Sequence, residues 1–162
     1  MTRATHPISD AFRLETFYAG LVHGWGHMID HRGGGEQALS ATLRGEWDGT
    51  VLTLDQRYEP DGGEAERRVW LIRPTETGYT GTASAVAGTA EARWDGETLR
   101  WAYRMDIAAG ERSWRVECEE ELTRQTANVA LSHLRISKFG LLIAEIRLIL
   151  SRARPIADAP SE

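Results

Sequence analysis

The chain is poor in cysteine, lysine and proline: one Cys (Cys118), one Lys (Lys138) and five Pro in 162 residues. A single cysteine excludes an internal disulfide and any zinc site built from thiolates. No run of about 18 apolar residues occurs, so the sequence holds no membrane-spanning helix. Residues 1–10 show no apolar signal-peptide core, and the expected location is cytoplasmic. Positive charge is also short, with 19 Lys and Arg against 24 Asp and Glu and a net charge of −5. That balance argues against nucleic acid, which calls for a concentrated basic face. The near-exclusive use of Arg reads as codon usage. There is no nucleophile elbow, phosphate loop, dinucleotide fingerprint or Cys–His dyad. No motif implies a cofactor, and the case for an enzyme is correspondingly weak.

What is present is glycine, 16 residues of it, placed as punctuation. Turns recur at Gly33-Gly34-Gly35, Asp48-Gly49, Asp61-Gly62-Gly63, Thr77-Gly78, Asp95-Gly96 and Ala109-Gly110. Asp-Gly between alternating segments is a strong hairpin signal, because a type I′ turn needs φ > 0 at both central positions. The segments left between turns are roughly 8–11 residues long, the spacing of an all-β sandwich or barrel. Their period is two. Leu99, Trp101, Tyr103 and Met105 alternate with Arg100, Ala102, Arg104 and Asp106. Trp114, Val116, Cys118 and Leu122 oppose Arg115, Glu117, Glu119 and Glu121.

About ten strands are predicted, starting near Leu21, Ala38, Val51, Arg67, Tyr79, Thr89, Thr98, Arg112, Val129 and Leu141. Short connections favour an antiparallel up-and-down meander, and a sheet this wide tends to curl closed because closure removes its edges. A short helix is predicted over Asp10–Gly20, capped by Ser9 or Asp10. Leu141–Leu150 is almost continuously apolar, and its β-branched Ile143, Ile146 and Ile149 favour strand over helix. The organisation expected is an N-terminal segment over 1–9, one barrel domain over 10–151 and a flexible tail over 152–162.

His23, His27 and His31 stand four residues apart. On a helix they would share a face and suit a metal, but Gly24 and Gly26 oppose a helix at about 1 kcal/mol each. On a strand, four residues span about 13 Å, too far for one ion, so no metal is assigned. A strand instead puts His23, Trp25, His27, Ile29 and His31 on one side and the two glycines on the other. With the histidine side inward, His23 and His27 become candidate general acid–base groups in a cavity. Six Trp and four Tyr form the second signal. Trp47, Tyr58, Trp70, Trp101, Tyr103 and Trp114 are expected to converge on the interior, as core filling or as the walls of a cavity. Arg68 and Glu120 are charges in apolar-facing registers, suited to pair with each other or with a ligand.

The order Phe17, Gly20, Trp25-Gly26, Asp30-His31-Arg32-Gly33 and Gly45-x-Trp47-x-Gly49-x-x-Leu52-x-Leu54 resembles a bacterial lipocalin-like family of unknown function. Its members are often described as putative lipoproteins. The resemblance continues through Tyr58, Asp61-Gly62, Trp70, Tyr79-x-Gly81-x-Ala83, Gly88-x-Ala90 and Leu99-x-Trp101-x-Tyr103, and ends at Ser137-Lys138-Phe139-Gly140 and Glu145. It covers residues 12 to 150. It implies a calycin-type antiparallel barrel, with no activity to carry over. Relatives similar to proteins encoded beside lipid-modifying enzymes suggest an acyl-chain or other apolar ligand. The chain lacks the lipidation cysteine of many relatives, and it has Ser84-Ala85 where they tend to be acidic.

The function expected is binding of a small hydrophobic or amphipathic molecule inside the barrel. Trp25, Tyr58, Arg68, Trp70, Trp101, Tyr103 and Trp114 are the candidate ligand contacts. The alternative is an isomerase- or cyclase-type enzyme using His23 or His27. A third reading, an assembly protein, rests on the apolar Leu141–Leu150 strand, and a monomer or homodimer is expected.

Overall fold

The computed structural model describes residues 12–152. One turn of helix, α1 (Leu14–Phe17), precedes ten strands: β1 (Gly20–Asp30), β2 (Gly35–Trp47), β3 (Leu52–Pro60), β4 (Glu66–Pro74), β5 (Gly78–Ala83), β6 (Val86–Asp95), β7 (Thr98–Ala109), β8 (Arg112–Arg124), β9 (Val129–Lys138) and β10 (Leu141–Ser151). Each strand pairs with its neighbours in sequence, and β1 pairs antiparallel with β10, so the sheet closes into a barrel. Closure leaves no unpaired edge among these strands. The all-β, up-and-down barrel of ten strands is therefore as expected, and Leu141–Ser151 is a strand.

Three local differences have physical causes. β2 begins at Gly35 because this glycine pairs with Asp30 and leaves a tight turn of only four residues. β6 begins at Val86 because Val86 and Ala87 pair with Met105 and Arg104 before a bulge that runs to Glu91. The helix is one turn rather than a span from Asp10 to Gly20. Gly20, at φ 87°, turns the chain into β1, and the Arg152 guanidinium donates to the carbonyls of Thr16 and Phe17, ending the turn. The expected caps Ser9 and Asp10 lie outside the described residues.

Alternation along each strand sorts side chains between lumen and outer wall. The helix plugs one end of the lumen. Phe12, Leu14, Phe17 and Tyr18 are all buried there, with Phe12 packed edge-on to Phe17 at 5.3 Å between ring centroids. Burial of such side chains stabilises by about 1.5–3 kcal/mol each. Two details seat the plug. The Tyr79 hydroxyl accepts the Leu14 N–H at 3.0 Å and donates to Glu15 at 2.6 Å. Gly45 lies so close to the helix that a Cβ there would sit 2.2 Å from the Tyr18 carbonyl oxygen. The opposite end carries the β1–β2, β3–β4, β5–β6, β7–β8 and β9–β10 turns and remains open.

Candidate functional site: the barrel lumen

Below the open end lies a cavity of ≈ 530 Å³, within the roughly 300–1,000 Å³ range of small-molecule sites. Its floor is Leu14, Tyr18 and Leu122, and its mouth is ringed by Arg32, Pro60, Glu64, Glu66 and Asp106. Apolar wall comes from β3, β9 and β10, through Leu54, Leu134, Ile136, Ile146 and Leu148. One side is aromatic. Trp70 meets Trp101 at 5.9 Å and Tyr103 edge-on at 5.3 Å. Gly81 permits this, since a Cβ there would lie 3.2 to 3.4 Å from both indoles.

A polar belt crosses the middle. Gln56 Oε1 accepts from the Tyr58 hydroxyl and from the Trp70 indole N–H, each at 3.2 Å. Ser132 Oγ donates to Glu120 Oε2 at 2.6 Å. Arg68 is the cross-strand partner of Gln56. Burial raises the Glu120 carboxyl pKa above the usual carboxylate value, and the Ser132 bond only partly offsets it. Tyr18, Tyr58 and Tyr103 are also raised, first by burial and then by the charge of Glu120. Burial pushes the Cys118 thiol up to about 12, which makes it a poor nucleophile and a small core residue.

The structure brings Tyr58, Arg68, Trp70, Trp101 and Tyr103 together around this cavity. Trp114 shares the inward face of its strand but packs at the rim, with the Arg32 guanidinium and Lys138 ammonium 5.9 and 5.8 Å from its ring. The inward orientation on which the His23 and His27 reading depended does not occur, and Trp25 is corrected as a ligand contact. On β1 the inward residues are Val22, Gly24, Gly26 and Met28, and His23, Trp25 and His27 point outward. The cause is packing against β10: at Gly24 a Cβ would lie 2.8 Å from Leu150 Cδ2. Trp47 is corrected too, since it ends β2 beyond the plugged end and is exposed. Gln56, Ser132 and Tyr18 were missed as lumen groups. Gln56 continues the alternation of Leu52 and Leu54, a signal that was available.

Outside the barrel, Glu145 accepts hydrogen bonds from His31 and His133, each at 2.6 Å. Those bonds hold its carboxyl at about 2. Among the described residues no group of His, Cys, Asp and Glu is arranged to hold a metal ion.

Comparison with known proteins bears on the fold. A family model described as "Protein of unknown function (DUF3833)" matches residues 3–152. Among solved structures, the S-type phycobiliprotein lyase from Guillardia theta is similar in fold, with a TM-score of 0.62 and 10% sequence identity over 85% of this chain and 89% of that one. No curated protein matches in sequence.

Proposed function

The chain belongs to the DUF3833 family of proteins of unknown function, and we propose that it binds a small hydrophobic or amphipathic molecule inside its barrel. One observation carries this reading: a closed, plugged barrel leaves ≈ 530 Å³ of its interior unfilled by side chains. A protein interior is otherwise close-packed, and apolar voids reduce stability. An opening at one end gives the space an entry path, and apolar walls with a few polar groups are how small-molecule sites are built. The likeness to the phycobiliprotein lyase concerns the fold alone, so the reading rests on the lumen itself. The acid–base alternative is not favoured, because His23 and His27 are on the outer wall.

Two measurements test this. Native mass spectrometry of freshly purified protein, compared with its denatured mass, should show a reproducible extra mass that vanishes on denaturation. Titration with the neutral dye N-phenyl-1-naphthylamine should give saturable fluorescence. Leu134→Trp, which fills the lumen, should weaken the dye at least about tenfold, a loss of about 1.4 kcal/mol. Trp25→Ala, on the outer wall, should leave it within about twofold. Absence of both mass and dye binding, or equal effects of the two variants, would refute a luminal site.

A further inference from the structure

The polar side chains of the lumen are segregated by type across its width. On β3 and β4, Gln56 and Arg68 are cross-strand partners that both line the cavity. The Gln56 carbonyl is already engaged by two donors, Tyr58 and Trp70. The amide N–H₂ is what it has left to offer, and Arg68 offers only donors. Among the described residues Arg68 makes no hydrogen bond or ion pair. Across the lumen on β8, Glu120 is an acceptor, with one oxygen taken by Ser132. Its other oxygen has no donor among the described residues. Between the poles stand Tyr58 and Tyr103, whose hydroxyls feel both the Glu120 and the Arg68 charge.

A plain hydrocarbon does not suit this arrangement. A ligand that strips water from a charged group without replacing its hydrogen bonds loses affinity. A ligand that matches both poles recovers those bonds in a low-dielectric site, where charge-assisted bonds are strongest. A guanidinium with no carboxylate partner, beside an amide presenting N–H₂, is a cradle for an anion. We infer that the lumen selects an organic anion that also carries a hydrogen-bond donor. Its anionic group lies on Arg68 and Gln56, its donor on Glu120, and a flat ring between them lies against Trp70, Trp101 and Tyr103. The inference rests on the reading of the lumen as a binding site and narrows its ligand class.

Two dyes with one skeleton make the test: 8-anilino-1-naphthalenesulfonate, which carries a sulfonate, and N-phenyl-1-naphthylamine, which lacks it. Both carry the amine N–H. The wild-type protein should bind the sulfonate about 10- to 100-fold more tightly, the size of a bond to a charged group. Arg68→Met should erase that preference by lowering the affinity for the sulfonate, and a retained β-sheet circular dichroism spectrum reports that the variant is folded. Arg68→Lys keeps charge without the planar fork and should retain part of the preference. Glu120→Leu should weaken both dyes several-fold through loss of the acceptor. Equal affinity for the two dyes would overturn the inference while leaving the luminal site standing. So would a preference that survives Arg68→Met but is lost in Arg32→Met, which would put the anion at the mouth. Unchanged binding in Glu120→Leu would remove the donor half. Failure of both dyes to bind, with no extra mass in the native spectrum, would overturn the luminal reading itself.

Discussion

Two carboxylates on neighbouring parts of one wall have opposite fates. Glu120 on β8 faces the lumen, and Glu145 on β10 faces out. Glu120 receives one hydrogen bond, from Ser132, and burial outweighs it, so its carboxyl pKa is raised from its ordinary value. Glu145 receives two, from His133 and His31, with Arg147 at 3.4 Å, and titrates at about 2. Both sit in regular strands, so the strand does not decide the difference. Desolvation and the number of donors do. The outer wall satisfies its charges locally, through pairs such as Arg67–Asp55, Arg115–Asp106 and Arg124–Glu97. The inner wall leaves Arg68 and Glu120 unmatched by each other, the condition expected of a site whose partner arrives from outside.

β1 shows the same contrast within one strand, and the largest expected effect lies there. A Cβ on Gly26 would lie 1.7 Å from the Arg147 carbonyl oxygen, so any side chain must push the β1–β10 seam apart. Gly26→Val is expected to destabilise by about 3 kcal/mol or more, the upper range for a point substitution. Its outward neighbour His27 is exposed and, among the described residues, pairs only with Glu36. His27→Val should stay within about 1 kcal/mol of wild type, the worth of a surface pair. Urea denaturation of the two variants compares the faces directly. Similar midpoints would show that the seam tolerates separation and that the glycines are not what keeps the histidines outside.

Much of this barrel is legible in the sequence because a closed meander is specified by local signals. Turn glycines mark the hairpins, and a period of two marks the strands. Trp101, Tyr103 and Cys118 could be assigned to the inner face because bulky residues alternate there with Arg and Glu. β1 misled for the opposite reason. Both of its faces are atypical, one bare and one aromatic and polar, and size alone points the larger face inward. What decides the orientation is the closeness of β10, with the Leu150 side chain filling the space beside Gly24 and the Arg147–Leu148 backbone that beside Gly26. That contact joins the first strand to the last and has no local trace. The Glu145 cluster is non-local in the same way, since His31 lies 114 residues from its partner.

The outer carboxylate yields the next effect in size. Glu145 has a folded pKa below its ordinary value of 4.5, so its contribution is present above that value and is lost as pH falls toward about 2. Discounted for its position on the outer wall, the contribution is about 1–2 kcal/mol. Glu145→Gln should lower stability by that amount at pH 7 and match the wild type near pH 2. The groups facing it are His31, His133, Arg147 and its cross-strand partner Arg135. Equal stabilities at pH 7 would show that the two imidazole bonds merely replace bonds to water.

The inner carboxylate should respond with the reverse sign and the smallest size. Burial raises the folded pKa of Glu120 above its ordinary value, so folding costs the ionised form more than the protonated one. The contribution of Glu120 to stability is then largest below the unfolded pKa and is lost as pH rises through the folded one. Glu120→Gln keeps an oxygen to accept the Ser132 hydroxyl but never ionises. It should be more stable than wild type at pH 8, by on the order of 1 kcal/mol, and the gain should shrink as pH falls toward 4. Denaturation midpoints at three pH values would show the trend. A variant less stable than wild type throughout would mean that the ionised carboxylate is already compensated inside the lumen, and the contrast between the two walls would fail. A gain in stability joined to weaker binding of N-phenyl-1-naphthylamine would show that the chain retains an uncompensated acid there for a ligand.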